Sequence, residues 1–184
     1  ALQSCPSLQK LDLPRGLHDL SALLNLTQLK DVTLRGDEQL ASFRQHNQSK
    51  GLERLRLLGC NKLSDLGFLK QFPTLKRLVF TGRKLESVSG VEQCPGLKEL
   101  NLTFCRQLCL QGLGALKGCS QLEKLGLPKE VHGGDQSIKG RFFPNASFLC
   151  HNGTFTLEGE QIRFLQDRLR ELSNETAAGS TLLS

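Results

Sequence analysis

At 184 residues and a formal charge of +6, the chain is long enough for one domain with a sizeable core, and its basic excess suits an acidic partner surface. No run of 18 apolar residues occurs, which excludes a membrane-spanning helix in this segment. Trp and Tyr are absent, and basic excess without interleaved aromatics or a known module gives no reason to expect a nucleic-acid partner. Met is absent too, so the chain is expected to be a processed product or an excised segment. The apolar residues are dominated by Leu, with Val and Ile scarce, which suggests one packing environment used many times.

Taken in chain order, an apolar triplet spaced L-x-x-L-x-L recurs six times. The copies are Leu8-Leu11-Leu13, Leu29-Val32-Leu34, Leu52-Leu55-Leu57, Leu75-Leu78-Phe80, Leu97-Leu100-Leu102 and Leu122-Leu125-Leu127. Their starts lie 21, 23, 23, 22 and 25 residues apart, a period short enough for one supersecondary unit per repeat. In x-L-x-L-x, alternate side chains point to opposite faces of a strand, so the second and third apolar residues go inward and their neighbours outward. Further runs bring the chain back: Leu17, Leu20 and Leu23; Leu63, Leu66 and Leu69; Leu85, Val88 and Val91; Leu108, Leu110, Leu113 and Leu116. Steps of about three suit helical or 3₁₀ turns. One coil cannot bury its own Leu face, so coils must stack. The predicted fold is α/β: a solenoid with a curved parallel sheet on its concave side and short helices or 3₁₀ turns on its convex side.

The repeats resemble the leucine-rich-repeat family over roughly residues 2–128. Cys94-Pro95-Gly96-Leu97-Lys98-Glu99-Leu100-Asn101-Leu102-Thr103-Phe104-Cys105 matches the cysteine-containing subtype of F-box substrate receptors and trypanosomatid repeat proteins, C-x-x-L-x-x-L-x-L-x-x-C. Cys5, Cys60 and Cys119 repeat one half or the other. The second repeat departs from the pattern between Arg35 and Lys50, which is polar, and the middle repeats are similar to the short form of bacterial internalins. The resemblance implies a protein-recognition module. In the F-box case it also implies an intracellular adaptor with an F-box before residue 1.

The solenoid is expected to span 1–128. Residues 129–157, rich in Gly and Pro, read as an irregular capping segment, with Phe142, Phe143, Phe148 and Leu149 covering the open end. Ile162, Leu165, Leu169 and Leu172 then recur at helical spacing, predicting an amphipathic capping helix over 158–173; coiled-coil pairing is the alternative. Residues 174–184 read as a flexible tail.

Seven cysteines cannot all pair internally. Small buried thiols suit the turn positions of Cys5, Cys60, Cys94, Cys105 and Cys119. A Cys94–Cys119 disulfide between adjacent coils is one alternative. A zinc site from Cys105, Cys109, Cys119 and a histidine is another, though no C-x-x-C pair occurs. His18, His46, His132 and His151 sit in unrelated contexts, and His132-Gly133-Gly134-Asp135 lacks the G-x-S-x-G that an oxyanion loop would accompany. No phosphate-binding or dinucleotide glycine motif is present. No enzyme, metal or cofactor is therefore expected.

The outward strand positions form the candidate ligand-binding face: Arg54, Arg56, Arg77, Val79, Glu99, Asn101 and Lys124, with Lys10, Asp12, Asp31, Thr33 and Gly126 around them. Arg54, Arg56 and Arg77 fall together mid-sheet, where guanidinium groups could grip carboxylates of a protein partner. The alternative is a solvated face neutralised by Glu53, Asp31 and Glu99. Six of the seven Asn begin N-x-S/T: Asn25, Asn47, Asn101, Asn145, Asn152 and Asn174. That excess favours a secreted or cell-surface glycoprotein. Repeat bias towards strings such as Asn-Leu-Thr, together with the buried-thiol pattern, supports the cytoplasmic alternative.

Overall fold

The computed structural model describes residues 7–15, 26, 28–36, 51–128, 131 and 154–181. Six strands carry the six triplets: β1 Lys10–Leu13, β2 Asp31–Arg35, β3 Arg54–Leu58, β4 Arg77–Thr81, β5 Glu99–Asn101 and β6 Lys124–Pro128. Each begins one residue before the second apolar residue of its triplet. They pair in parallel and in chain order, so Leu11, Val32, Leu55, Leu78, Leu100 and Leu125 lie at one level of the sheet. Val32, Leu55, Leu78, Leu100 and Leu125 are buried, whereas Leu11 and Leu13 of the first coil are partly exposed.

The strands are entered in the same way each time. The carbonyl of Lys30 accepts the amides of Glu53 and Arg54, that of Glu53 accepts Lys76 and Arg77, that of Lys76 accepts Lys98 and Glu99, and that of Lys98 accepts Glu123 and Lys124. Coil-to-coil spacing is thereby held by backbone bonds before the strands proper begin.

The return path explains the three-step apolar spacing. The amide of Leu69 donates to Leu66 O, Phe72 to Leu69 O and Leu75 to Phe72 O, at 2.9, 2.8 and 3.1 Å. Val91, Cys94 and Leu97 repeat the series from Val88. These bonds close 3₁₀ turns, in which residues i and i+3 eclipse, so an apolar residue at every third position keeps one face inward. Leu66, Leu69, Phe72 and Leu75 are accordingly all buried. The convex segments Gly67–Gln71, Val91–Gln93 and Gln111–Gly118 are 3₁₀ helices, as the spacing predicts.

Coil 4 departs from its neighbours in a compensated way. Its third apolar residue is Phe80 rather than Leu, and the ring is fully buried. Gly82 makes room for it: a Cβ there would lie 2.7 Å from Phe80 Cε1 and 2.3 Å from Cys60 O.

Beyond β6 the structure differs from the sequence expectation in two respects. β7 Thr154–Glu158, all but its last residue within the stretch expected to be irregular, pairs antiparallel with β6 and extends the sheet. Thr154-Phe155-Thr156-Leu157-Glu158 alternates as a strand should, but the partner it needs is the distant edge of β6. Second, the helix α1 runs Glu160–Thr181, entering residues expected to form the flexible tail. Ile162, Leu165 and Leu169 anchor it by burial, and once a helix is nucleated, each added residue needs only one more backbone bond. Gln166 is buried in this contact, and its Nε2 donates to both Leu116 O and Cys119 O at 2.9 Å. It thus adds a second donor to two carbonyls that already accept the backbone amides of Cys119 and Leu122, and ties the helix to the end of the Gln111–Gly118 segment. Phe142, Phe143, Phe148 and Leu149, and the apolar run Leu17, Leu20 and Leu23, lie outside the described residues.

Leu100→Ala should lower the unfolding free energy by about 2–5 kcal/mol, because it empties the middle of a core layer. Urea denaturation measures the loss, and a change below about 1 kcal/mol would mean that the layer collapses to fill the space.

Candidate ligand-binding face

Alternation along the strands sends every second side chain to the concave surface, and the parallel register aligns those side chains in rows. One row is Lys10, Asp31, Arg54, Arg77, Glu99, Lys124 and Glu158; the next is Asp12, Thr33, Arg56, Val79, Asn101, Gly126 and Thr156. Arg54, Arg56, Arg77, Val79, Glu99, Asn101 and Lys124 all line one shallow recess of about 190 Å³. Two further contributors, Gly126 and Thr156, close its C-terminal side. Thr156 was missed from sequence because β7 was not expected; the alternating Thr-Phe-Thr-Leu-Glu string was the available signal.

The charges in the first row alternate except at one place. Asp31 lies 3.9 Å from Arg54 Nη1, Arg77 Nη2 lies 3.1 Å from Glu99, and Lys124 Nζ lies 3.3 Å from Glu158. Arg54 and Arg77, directly opposite each other in register, form the one like-charged neighbour pair in that row. Arg56 Nη1, from the second row, also reaches Asp31, at 3.2 Å, and donates to Thr33 Oγ1. Asp31 is mostly buried and shared between two arginines. Glu53, expected to help neutralise the arginines, pairs with Lys76 instead, at 3.2 Å. It immediately precedes β3, at the sheet's N-terminal rim.

Asn101 is exposed at the end of β5, and its Oδ1 accepts from Thr103 N and Thr103 Oγ1, at 3.1 and 2.9 Å. Gly126 lies opposite, where a Cβ would stand 3.3 Å from Asn101 Cγ. Asn174 is exposed on α1. Asn25, Asn47, Asn145 and Asn152 lie outside the described residues, as do Cys5 and all four histidines.

Cys94, Cys105, Cys109 and Cys119 are free thiols. Cys94 Sγ donates to Leu69 O and Phe72 O of the preceding coil, Cys105 Sγ to Phe80 O, Cys109 Sγ to Glu86 O and Cys119 Sγ to Ala115 O. The thiols are turned to separate carbonyls, and among the described residues no three His, Cys, Asp or Glu side chains come together as a metal site. Burial pushes Cys94 and Cys105 up to about 12 and Cys119 to about 11, from an ordinary 9.0, with the Glu92 carboxylate adding to the shift at Cys94 and Cys119. A raised acid is stabilised in its protonated form, so the folded chain holds protons that the unfolded chain releases. The stabilisation is complete below pH 9 and is lost as pH rises towards 12. Urea midpoints should therefore fall steadily from pH 9 to 11, and substituting Ser at Cys94, Cys105 and Cys119 together should flatten that slope. An unaltered slope would place the effect elsewhere.

No family model matches this chain, and neither does any curated protein. Thirty-two chains of solved structures are similar to it. One is an internalin (inlF) from Listeria monocytogenes, 17% identical with a TM-score of 0.50 over 67% of this chain and 35% of that one. The likeness is one of fold, that of a leucine-rich-repeat solenoid. This chain spans about a third of the length of that protein.

Proposed function

We propose that this leucine-rich-repeat solenoid is a non-catalytic recognition module that binds an acidic protein surface through its concave face. The observation that carries the reading is the Arg54–Arg77 juxtaposition. Like charges directly opposite on adjacent strands destabilise a sheet, yet here they face each other on the β3–β4 side of the recess. Asp31 is divided between Arg54 and Arg56, so three guanidinium groups share two carboxylates, Asp31 and Glu99. An incoming carboxylate would relieve that imbalance and accept a bidentate contact. Val79 and the apolar stems of the arginines would supply the apolar share of the contact.

Two placements of the module follow from different observations. Six sequons support display on a cell surface, with Asn174 already exposed on the outer helix. On that reading Asn101 must stay bare, because a glycan there would fill the recess. The thiols of Cys94, Cys105 and Cys119, free and held protonated by burial, support the second placement, an intracellular adaptor of the cysteine-containing subtype, such as the substrate-recognition part of a ubiquitin-ligase receptor. Intact mass after expression in a eukaryotic secretory host separates the two: hexose at several Asn favours the surface, and a bare chain with seven alkylatable thiols after denaturation favours the cytosol.

The binding reading is tested with a synthetic Glu-rich peptide as probe. Arg54→Gln combined with Arg77→Gln should weaken binding at least about tenfold and shift the melting temperature by no more than a few degrees, since exposed ion pairs contribute about 0–1 kcal/mol. Wild-type affinity should fall with added salt. Unchanged affinity in the double variant would remove the proposed site; a large fall in melting temperature would make these arginines structural.

A further inference from the structure

A second basic surface lies off the concave face, on the turns that leave β3, β4 and β5. Asn61 and Lys62 form its first step, Arg83 and Lys84 its second, and Phe104 and Arg106 its third; all are exposed. Phe104 is 60% exposed, the most solvent-accessible large apolar residue among those described. The concave cations are largely held by carboxylates, but among the described residues no ion pair joins Arg83, Lys84 or Arg106 to one. On coil 3, Asp65 Oδ1 accepts the amide of Gly67. These turns are also tied to one another. Asn61 Oδ1 accepts Arg83 N at 3.0 Å, Thr81 Oγ1 accepts Gly59 N at 2.7 Å, and Cys105 Sγ donates to Phe80 O. The cations are therefore carried on a preorganised edge rather than on independent loops.

We infer that this turn edge is a docking surface for an anionic lipid bilayer, with Arg83, Lys84 and Arg106 on the headgroups and the Phe104 ring entering the interface. Charge complementarity selects an anionic partner. The shape then narrows the class. Three successive turns present these side chains as an exposed row, apart from the lining of the recess. A bilayer is a broad surface that needs no shape match. Nucleic-acid strands are held by successive stacking rings, and this edge presents one. An aromatic ring beside basic side chains is, by contrast, the composition of an interfacial membrane contact. The inference is independent of the concave site, because none of its residues lines that recess.

The full chain is sedimented with vesicles of phosphatidylcholine, with and without phosphatidylserine. Binding is expected only with phosphatidylserine and should weaken as salt is raised. Charge reversal at Arg83→Glu, Lys84→Glu and Arg106→Glu should lower the partition coefficient at least about tenfold, and Phe104→Ser should lower it by a smaller factor. The concave variant Arg54→Gln with Arg77→Gln should sediment as wild type, which keeps the two surfaces distinguishable. All substituted side chains are exposed, and unchanged circular dichroism certifies that each variant is folded. Equal sedimentation with neutral vesicles, full binding by the charge-reversed edge, or tighter binding of a single-stranded oligonucleotide than of the vesicles would each overturn the inference.

Discussion

The structure depends on one match of dimensions. Parallel strands hold successive coils about 4.8 Å apart at the sheet, and the convex side must follow with chain thin enough to stack. The 3₁₀ turn meets this need because its three-residue period puts every third side chain on one face. Leu66, Leu69, Phe72 and Leu75 illustrate it: each is buried, and each of the last three donates its amide to the carbonyl of the one before. Hydrophobic burial and backbone satisfaction are thus accomplished by the same residues. Where coils press closest, the match leaves no room for a side chain. A Cβ at Gly112 would stand 1.9 Å from Glu86 O, and one at Gly90, whose φ is +109°, would stand 2.2 Å from Leu66 O. Cysteine serves a related need, being small enough for a buried turn while its thiol donates to a carbonyl of the coil behind, as at Cys94 and Cys105.

The same stacking makes surfaces out of residues far apart in sequence. Residues one repeat apart become neighbours, so a charge choice made in each repeat is read across the sheet as a row. Asp31, Arg54, Arg77 and Glu99 occupy equivalent positions in four coils and become a linear electrostatic pattern. On the turn edge, the equivalent steps produce a run of cations around a single aromatic ring. Two chemically different faces thereby arise from one repeat, the concave one crossed by ion pairs and the edge one carrying Arg83, Lys84 and Arg106, which no ion pair joins to a carboxylate among the described residues.

After the sixth coil the parallel stack is closed by β7 and α1. The antiparallel direction of β7 is significant, since it ends the parallel progression and brings Glu158 to Lys124 and Thr156 to Gly126. Gln166 completes the closure, a polar group admitted to the core because its own amide nitrogen is satisfied there by the carbonyls of Leu116 and Cys119.

Spacing alone specified the six strands, their inward and outward sides and the three-step return path, because each depends on the local period of the backbone. The seven residues expected on the concave face follow from the same alternation, and the structure gathers all of them around one recess. What lay beyond the sequence were particular pairings between distant residues: β7 finding the edge of β6, Glu53 turning to Lys76 rather than to the arginines, and Asp31 divided between two guanidinium groups. Periodicity is a property of the chain by itself, whereas the choice of partner is settled by which surfaces the finished stack leaves uncovered and which side chains it brings within reach.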